Sequence, residues 1–149
     1  MRLKLPESVL VVIHTARLDV LLLERAARPG YWQSVTGSLD RGDEPPVEAA
    51  RREVLEETGI RAPAARFRDW RLANAFEIFA HWRPRFAPGV THNTEHVFSL
   101  QVEARARVTL DPDEHRAQRW LPWRAAARAC FSWSNRDAIL LLPARTARP

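Results

Sequence analysis

Three glutamates crowd one short segment of the chain: Glu53, Glu56 and Glu57 fall within the ten residues RREVLEETGI, 51–60. In a helix, which turns by about 100° per residue, their carboxylates lie within an arc of about 100°. Like charges three or four residues apart repel and weaken an isolated helix by a few tenths of a kcal/mol per pair. Two explanations are open: a cation neutralises the three acids, or the acids simply face water.

The residue types suit the first explanation. Clustered carboxylates bind hard divalent cations through oxygen, and magnesium prefers a few carboxylates together with the phosphates of a substrate. Bound cations would offset the repulsion, bridge phosphate oxygens and activate a water molecule. Arg52 adjoins the first acid, and its planar guanidinium is suited to holding a carboxylate in place. The segment is therefore a candidate site for metal and phosphate.

The acids need a helix to present them, and the sequence predicts one over roughly 46–58. Residues suited to capping and to the first turn are Asp43 or Glu44, followed by Pro45 or Pro46. Gly59 is a good C-terminal stop. An apolar stripe at helical spacing consists of Val47, Ala50 and Val54. Because the stripe and the acids occupy different faces, the helix can pack on a sheet and still offer its acids to a cleft.

Apolar runs around this helix predict a sheet. Strands are expected at 8–15 and 19–25, adjacent and buried on both faces, and at 31–37, 66–80, 94–102 and 117–123. The proline- and glycine-containing segment 81–93 is typical of a loop. The C-terminal stretches 124–130 and 134–142 predict one interrupted helix or two short ones. Mixed strands with a few helices indicate an α/β sandwich, in a single domain over residues 1–149.

Composition limits the class of protein. Of 149 residues, 46% are hydrophobic and 28% are charged, as in a globular domain. The formal net charge of +5 comes from arginines spread along the whole chain, which we interpret as genome composition rather than a nucleic-acid surface. The single cysteine, Cys130, cannot close an intramolecular disulfide, and no apolar run approaches the roughly 20 residues of a membrane span. We therefore expect a cytoplasmic protein.

Residues 37–60, GSLDRGDEPPVEAARREVLEETGI, resemble the Nudix box. Its pattern is Gly, five residues, Glu, seven residues, then Arg-Glu-apolar-any-Glu-Glu-any-Gly-apolar, and everything from Glu44 to Ile60 matches. Six residues, not five, separate Gly37 from Glu44. Asp43 could replace Glu44 as the first acid, but we prefer Glu44, because a loop absorbs an insertion more readily than a helix absorbs a change of register.

Other segments resemble the bacterial dihydroneopterin triphosphate diphosphatases within the Nudix hydrolases: 31–38, 76–95 and 132–139. The resemblance implies a Nudix-type α/β/α sandwich around a mixed β-sheet. It also implies hydrolysis of 7,8-dihydroneopterin 3′-triphosphate to the monophosphate and pyrophosphate in folate biosynthesis. The cofactor implied is Mg²⁺, with Mn²⁺ as a substitute. Neither a membrane nor a stable nucleic-acid partner is expected.

The same resemblance implies roles for individual residues. The metal ligands would be Glu53, Glu56, Glu57, Glu114 and the carbonyl of Gly37. The catalytic residues would be those four glutamates together with Arg52, which would pair with Glu44, and either Glu53 or Glu114 would be the general base. The residues in contact with the substrate would be Lys4, Arg25, Thr36, Phe76, Glu77, Ile78, Phe79 and Ser132. Glu77 could accept hydrogen bonds from the pterin. Ser132 could contact the substrate or could instead cap the following helix.

Two other functions fit the same residues. One is a nucleoside triphosphate pyrophosphohydrolase acting on dATP or damaged nucleotides, since both kinds of ring are flat, rich in nitrogen and joined to a triphosphate. The other is a Nudix module that binds nucleotide or RNA without catalysis, although such modules commonly lose the carboxylates that this chain keeps. Removal of pyrophosphate from RNA 5′ ends is a further option. Four histidines show no compact metal spacing and are expected to be ordinary loop or strand residues: His81, His92, His96 and His115.

Overall fold

A mixed sheet of seven strands forms the middle layer of the structure, a computed structural model that describes residues 2–146. The strands are β1 (Glu7–His14), β2 (Asp19–Arg25), β3 (Trp32–Gln33), β4 (Val35–Ser38), β5 (Phe67–Glu77), β6 (His92–Gln101) and β7 (His115–Pro122). The helices are α1 (Pro46–Thr58), α2 (Trp123–Ala129) and α3 (Trp133–Thr146). Two short 3₁₀ helices occupy Ala64–Arg66 and Ala80–Arg85.

Strand β1 lies at the centre of the sheet. It runs parallel to β6 from the pair Glu7 and Thr94 to the pair His14 and Gln101. Its other edge pairs antiparallel with β4 from Ser8 to Val11 and meets β2 only at His14. Strand β5 extends the sheet beyond β6, and β7 extends it along β2. The ends of β1, β4, β5 and β6 therefore meet at one corner of the sheet.

The two faces of β1 bury different cores. Val9, Val11 and Ile13 pack with Ala50 and Val54 of helix α1 on one face. Alternate residues of the same strand point the other way, toward helices α2 and α3, and their core includes Leu10, Val12, Ala126, Ile139 and Leu142. This arrangement of helices on both faces of a mixed sheet confirms the predicted α/β/α sandwich.

Helix α1 has the predicted bounds but not the predicted cap. It ends where Gly59 takes a left-handed conformation, φ 75°, and donates its N–H to the Leu55 carbonyl at 2.9 Å. Within the described chain no side chain caps its first turn. Glu44 instead accepts the Asp40 N–H at 2.8 Å, and Asp43 pairs with an arginine on the surface. The prediction that Asp43 or Glu44 caps the helix is therefore wrong.

Other boundaries differ from the prediction for local reasons. The strand expected at 31–37 is broken at Ser34, whose N–H donates to the Asn135 side-chain carbonyl at 2.8 Å instead of to a neighbouring strand. Strand β5 stops at Glu77 rather than at residue 80, and the segment expected to be a loop begins with the 3₁₀ helix Ala80–Arg85. The C-terminal region forms two helices, of 7 and 14 residues. Among residues 2–146, no helix is both long enough and apolar enough to span a membrane.

We predict that Gly59→Ala lowers the free energy of unfolding by about 1 kcal/mol, because a Cβ atom is strained in the left-handed conformation that ends helix α1. Gly42→Ala is the matched control, since this glycine has an ordinary φ and open space around it. Urea unfolding of both variants measures the difference. Equal stabilities would show that the conformation of Gly59 carries no cost for alanine.

Candidate active site

A cleft of about 190 Å³ opens at the corner where β1, β4, β5 and β6 meet the start of α3. It brings together most of the predicted site residues, which come from distant parts of the chain: Lys4, Arg25, Thr36, Gly37, Glu57, Phe76, Glu77, Ile78, Phe79, Glu114 and Ser132. Three predicted residues do not line it, namely Arg52, Glu53 and Glu56. The geometry of these three relative to the cleft decides which of them can act there.

Gly37 lies directly against the side chain of Glu53. A Cβ atom at position 37 would stand 2.0 Å from Glu53 Cδ and 2.3 Å from its Oε1, so a side chain here would displace the acid. Gly37 is held in β4 opposite Val9 of β1. The extra residue before Glu44 is therefore accommodated in the loop between β4 and α1, and Gly37 stays in contact with the acids.

Glu53 and Glu57 lie one helical turn apart and are close enough to share a hydrogen bond when one of them carries a proton. Burial raises the pKa of Glu57 well above its usual 4.5, and the negative charge of Glu53 raises it further. Burial also raises the pKa of Glu53, although hydrogen bonds from Glu57 and Arg52 act in the opposite direction. The pair is thus a buried concentration of negative charge that lacks a full counter-charge.

His115 is adjacent to Glu57, a position that was not predicted from the sequence. Its Nδ1 is 3.5 Å from Glu57 Oε1. Burial, and then the charge of Arg25, lowers the pKa of His115 to about 4, so the ring is neutral and the contact is not an ion pair. The His115 Nε2 lies 3.2 Å from the Gln33 side-chain nitrogen, and the Gln33 side-chain oxygen accepts from Arg25 at 3.3 Å. These contacts link the acids to the cationic side of the cleft.

Arg52 fixes the position of Glu53 from outside the cleft. Its Nη1 donates to Glu53 Oε1 at 2.8 Å, and its Nη2 donates to Glu44 Oε1 at 3.1 Å and to the Ser38 carbonyl at 3.2 Å. Its Nε lies 3.1 Å from an Asp40 carboxylate oxygen. Burial acts to raise the pKa of Glu44, but the hydrogen bonds from Arg52 and the Asp40 N–H hold it below its usual value. The expected pair of Arg52 with Glu44 is therefore present.

Glu56 and Glu114 are less closely tied to the acid pair. The Glu56 side chain is 56% exposed, does not line the cleft and is 3.9 Å from Arg52 Nη1. Glu114 is exposed in the turn before β7, at the rim of the cleft. Within residues 2–146 no three His, Cys, Asp or Glu side chains are already gathered as a metal-binding cluster. Like charges repel when no cation lies between them, so the four predicted carboxylate ligands are not preassembled.

The acid pair nevertheless has the chemistry of a divalent cation site. The Oε1 atom of Glu57 is buried and has no hydrogen-bond partner in the described part of the chain. Burial raises the pKa values of Glu53 and Glu57 even though Arg52 and Arg25 lie near them, so a further positive charge would stabilise their ionised forms. The donors available are oxygens, which hard cations prefer. A divalent cation would supply the missing charge, with Glu53 and Glu57 as its first ligands.

Three cationic side chains also line the cleft: Lys4, Arg25 and Arg85. Lys4 forms an isolated bridge to Phe86 and donates its N–H to the Arg85 carbonyl at 2.8 Å. Although the Lys4 side chain is partly exposed, desolvation by the surrounding protein and the Arg85 charge lower its pKa. Burial and Arg85 likewise lower the pKa of Arg25, whose guanidinium lies 4.8 Å from the centre of the Trp82 ring. Concentrated positive charge of this kind suits a polyphosphate chain.

The remaining wall of the cleft is aromatic and apolar. Phe76 is half-buried and meets Trp133 edge-to-face, with ring centres 6.3 Å apart. Ile78 is buried, whereas Phe79 is 45% exposed. Ser132 accepts the Asn135 N–H at 3.3 Å, so it caps helix α3 as well as lining the cleft. This wall can accept a flat ring.

Among the cleft residues that were not predicted from the sequence are Arg85, Asn93, Glu95 and His115. For two of them a signal was present, because strict alternation along β6 places Asn93 and Glu95 on the same face as the buried Val97. Polar residues at inward positions of a strand indicate a site. No comparable signal identified Arg85, which enters the cleft through the pairing of its segment with Lys4.

Comparison with known proteins identifies the family of the chain. The model of the NUDIX domain matches residues 4–142 of the chain. The chain belongs to the Nudix family. Nudix hydrolases generally use divalent metal ions, in agreement with the acid pair of helix α1.

Several relatives of this Nudix protein share most of its length. The dihydroneopterin triphosphate diphosphatase of Escherichia coli K12 is 45% identical over 139 residues, which are 91% of each chain. The enzyme of the same name from Haemophilus influenzae is 38% identical over 142 residues, 93% of this chain and 88% of that one. The solved structure of the E. coli dihydroneopterin triphosphate pyrophosphohydrolase matches with a TM-score of 0.86 over 93% of this chain and 95% of that chain, at 44% identity. The predicted resemblance is confirmed.

We predict that Glu57→Gln stabilises the metal-free protein and removes part of its pH dependence. The pKa of Glu57 is higher in the folded chain than the usual 4.5, so the folded state binds more protons than the unfolded state between these values. Its stability is therefore highest below pH 4.5 and declines as the pH rises toward the folded pKa. Urea unfolding in EDTA between pH 5 and 8 tests this, with Glu48→Gln on the exposed face of α1 as control. A Glu57→Gln variant less stable than the wild type at pH 8 would contradict it.

Proposed function

We propose that this Nudix protein hydrolyses 7,8-dihydroneopterin 3′-triphosphate to the monophosphate and pyrophosphate, as a step of folate biosynthesis. The observation that supports it most is the arrangement of one cleft, which is lined by the buried Glu57, a cluster of cations and an aromatic wall, with Glu53 directly against the lining residue Gly37. The names of relatives that share about nine-tenths of the chain identify the substrate. In a pterin triphosphate, the ring suits the aromatic wall, and the triphosphate suits the cations and a metal ion held by the acids.

We propose Mg²⁺ as the cofactor, with Mn²⁺ as a substitute. Glu53, Glu57 and Glu114 would hold the cation together with the backbone carbonyl of Gly37. When bound, a cation of this kind neutralises phosphate charge and lowers the pKa of a water molecule. Glu56, whose side chain is 56% exposed, would act on the cation only through the water around it.

The chain itself supplies the remaining functions. Lys4, Arg25 and Arg85 hold the phosphate groups and stabilise the negative charge that builds up on them during hydrolysis. Two carboxylates, those of Glu53 and Glu114, are candidates to accept the proton of the attacking water. Arg52 keeps Glu53 in place through the 2.8 Å hydrogen bond to its Oε1. Thr36 offers a hydroxyl beside Gly37 at the edge of the cleft.

The ring of the substrate would lie at the aromatic side of the cleft. Phe76, Ile78 and Phe79 form one wall there, and Ser132 with Trp133 stands opposite. The triphosphate then extends toward the acid pair and the cations. Folate precursors are small molecules of intermediary metabolism, and we place the enzyme in the cytoplasm as one domain that acts without a nucleic-acid partner.

Glu53→Gln is expected to reduce kcat at least about hundredfold while the protein remains folded, because it removes a proposed cation ligand from the surface of a helix. Glu48→Gln is the matched control: it lies on the same helix, forms an exposed pair with Arg51 and should retain full activity. Pyrophosphate release with increasing Mg²⁺ measures both variants, and circular dichroism checks their folding. Full activity of Glu53→Gln would refute the cation site.

The proposed substrate can be tested against the nucleotide alternative. Wild-type enzyme should show a kcat/KM for 7,8-dihydroneopterin triphosphate at least about tenfold above those for dATP and the other deoxynucleotides, because the cleft ends in a wall suited to the pterin. The measurement is pyrophosphate release under identical Mg²⁺ concentrations. A deoxynucleotide with the larger kcat/KM would overturn the substrate, while absence of release from every triphosphate would favour a binding module.

A further inference from the structure

Glu95 is a buried carboxylate outside the acid pair of helix α1. It lies on β6 between Ser8 of β1 and Asn74 of β5, its partners in the sheet. Its side chain faces the cleft, and only 5% of the residue is exposed. The sequence analysis gave it no role, and neither the metal site nor the phosphate site proposed above uses it.

Nothing in the described chain balances the charge of this carboxylate. Burial raises the pKa of Glu95 to about 7, and a hydrogen bond with Ser134 is the one effect that opposes it. No Lys, Arg or His among residues 2–146 contributes to its pKa. Its Oε1 atom has no hydrogen-bond partner within those residues either. Burying an acid in this way is unfavourable, so a ligand that supplies N–H donors would be strongly preferred there.

The surroundings of Glu95 suit an aromatic ring with polar edges. Asn93, two residues earlier on the same face of β6, donates its side-chain nitrogen to Ser8 Oγ at 2.7 Å, and its Oδ1 accepts nothing from the described residues. Phe76 stands opposite Asn93 in the sheet and meets Trp133 edge-to-face. Two unpartnered acceptor oxygens therefore adjoin the aromatic wall.

The geometry points to Glu95 as the residue that recognises the substrate ring, by accepting hydrogen bonds from two adjacent N–H groups on the edge of that ring. This inference rests on the proposed pterin triphosphate substrate, whose 2-amino group and N3–H form such an edge. A carboxylate can accept both donors at once through its two oxygens. Glu95 thus determines specificity at the end of the cleft away from the reacting phosphates.

Glu77 is not placed for this role, although the sequence analysis suggested it. Its side chain is 68% exposed and pairs with Arg83 at the rim of the cleft. A carboxylate that is solvated and already paired gains little from a ligand, because binding only exchanges one partner for another. The Oε1 atom of Glu95 has no partner, so a ligand N–H adds a hydrogen bond there without replacing another.

Recognition by Glu95 also separates pterins from adenine nucleotides. Adenine places an acceptor nitrogen beside its amino group, so a carboxylate cannot bond to two neighbouring donors there. Lumazine carries a carbonyl where pterin carries the 2-amino group and loses the same contact. Both compounds keep the flat ring that the aromatic wall accepts, so they isolate the contribution of Glu95.

The test compares Glu95→Gln with Glu7→Gln, a change of the same type and charge on the neighbouring strand, where Glu7 is outside the cleft and contacts His96. Binding of 7,8-dihydroneopterin, which has no phosphate, is followed by its fluorescence without added metal. We expect Glu95→Gln to raise the Kd about 10- to 100-fold and Glu7→Gln to leave it unchanged. Lumazine should bind wild type and Glu95→Gln equally weakly. Thermal unfolding confirms that both variants remain folded.

Steady-state kinetics then separate this inference from the proposed function. Glu95→Gln should raise the KM for dihydroneopterin triphosphate by the same factor with little change in kcat, and should leave dATP hydrolysis unchanged. A wild-type enzyme that binds dihydroneopterin but does not hydrolyse its triphosphate would refute the function and keep the inference. Wild-type hydrolysis with an unchanged KM in Glu95→Gln, or the loss appearing in Glu77→Gln instead, would overturn the role of Glu95. An equal loss with dATP would overturn it as well.

Discussion

The guanidinium group of Arg52 is the interaction on which the site depends. It is the cation among acids that would otherwise repel one another, and its donors reach Glu44, Glu53 and the Ser38 carbonyl at once. A lysine could not make these contacts together, because an ammonium group lacks the planar fork. Through Arg52 the loop, strand β4 and helix α1 are fixed relative to one another. The close contact between Gly37 and Glu53 is possible because glycine has no Cβ atom.

Buried acids pose two separate electrostatic problems in the same cleft. Burial raises the pKa values of Glu53 and Glu57, and the charge of Glu53 raises that of Glu57 further, so a metal ion and the phosphates that it attracts can balance their charge. Neither another acid nor a cation of the described residues acts on the pKa of Glu95. The protein therefore keeps one region for charge that must be neutralised by an ion and another for charge that must be neutralised by hydrogen bonds.

The sequence predicts those parts of the structure that depend on local rules. Helix α1 could be predicted because Pro46 suits a first turn and Gly59 suits a last one, with an apolar stripe between them. The break at Ser34 could not, because its cause is a hydrogen bond to Asn135, 101 residues away. His115 was missed for the same reason: it becomes part of the site only when β7 brings it behind Glu57. Roles that depend on burial, such as that of Glu95, require the folded chain.

Strand β5 contains an irregularity whose effect reaches the aromatic wall. Between Asp69 and Ala73 its register against β6 shifts, and Arg71 takes a positive φ of 51° while donating its N–H to the Asp69 side chain at 2.8 Å. Were the pairing of Phe67 with Leu100 continued without that shift, Phe76 would stand opposite residue 91, beyond the end of β6. The depth to which a planar ligand can enter is thus set by a backbone kink well outside the cavity. A substitution at Arg71 could therefore change how far a ligand enters the cleft without changing any side chain that contacts the ligand.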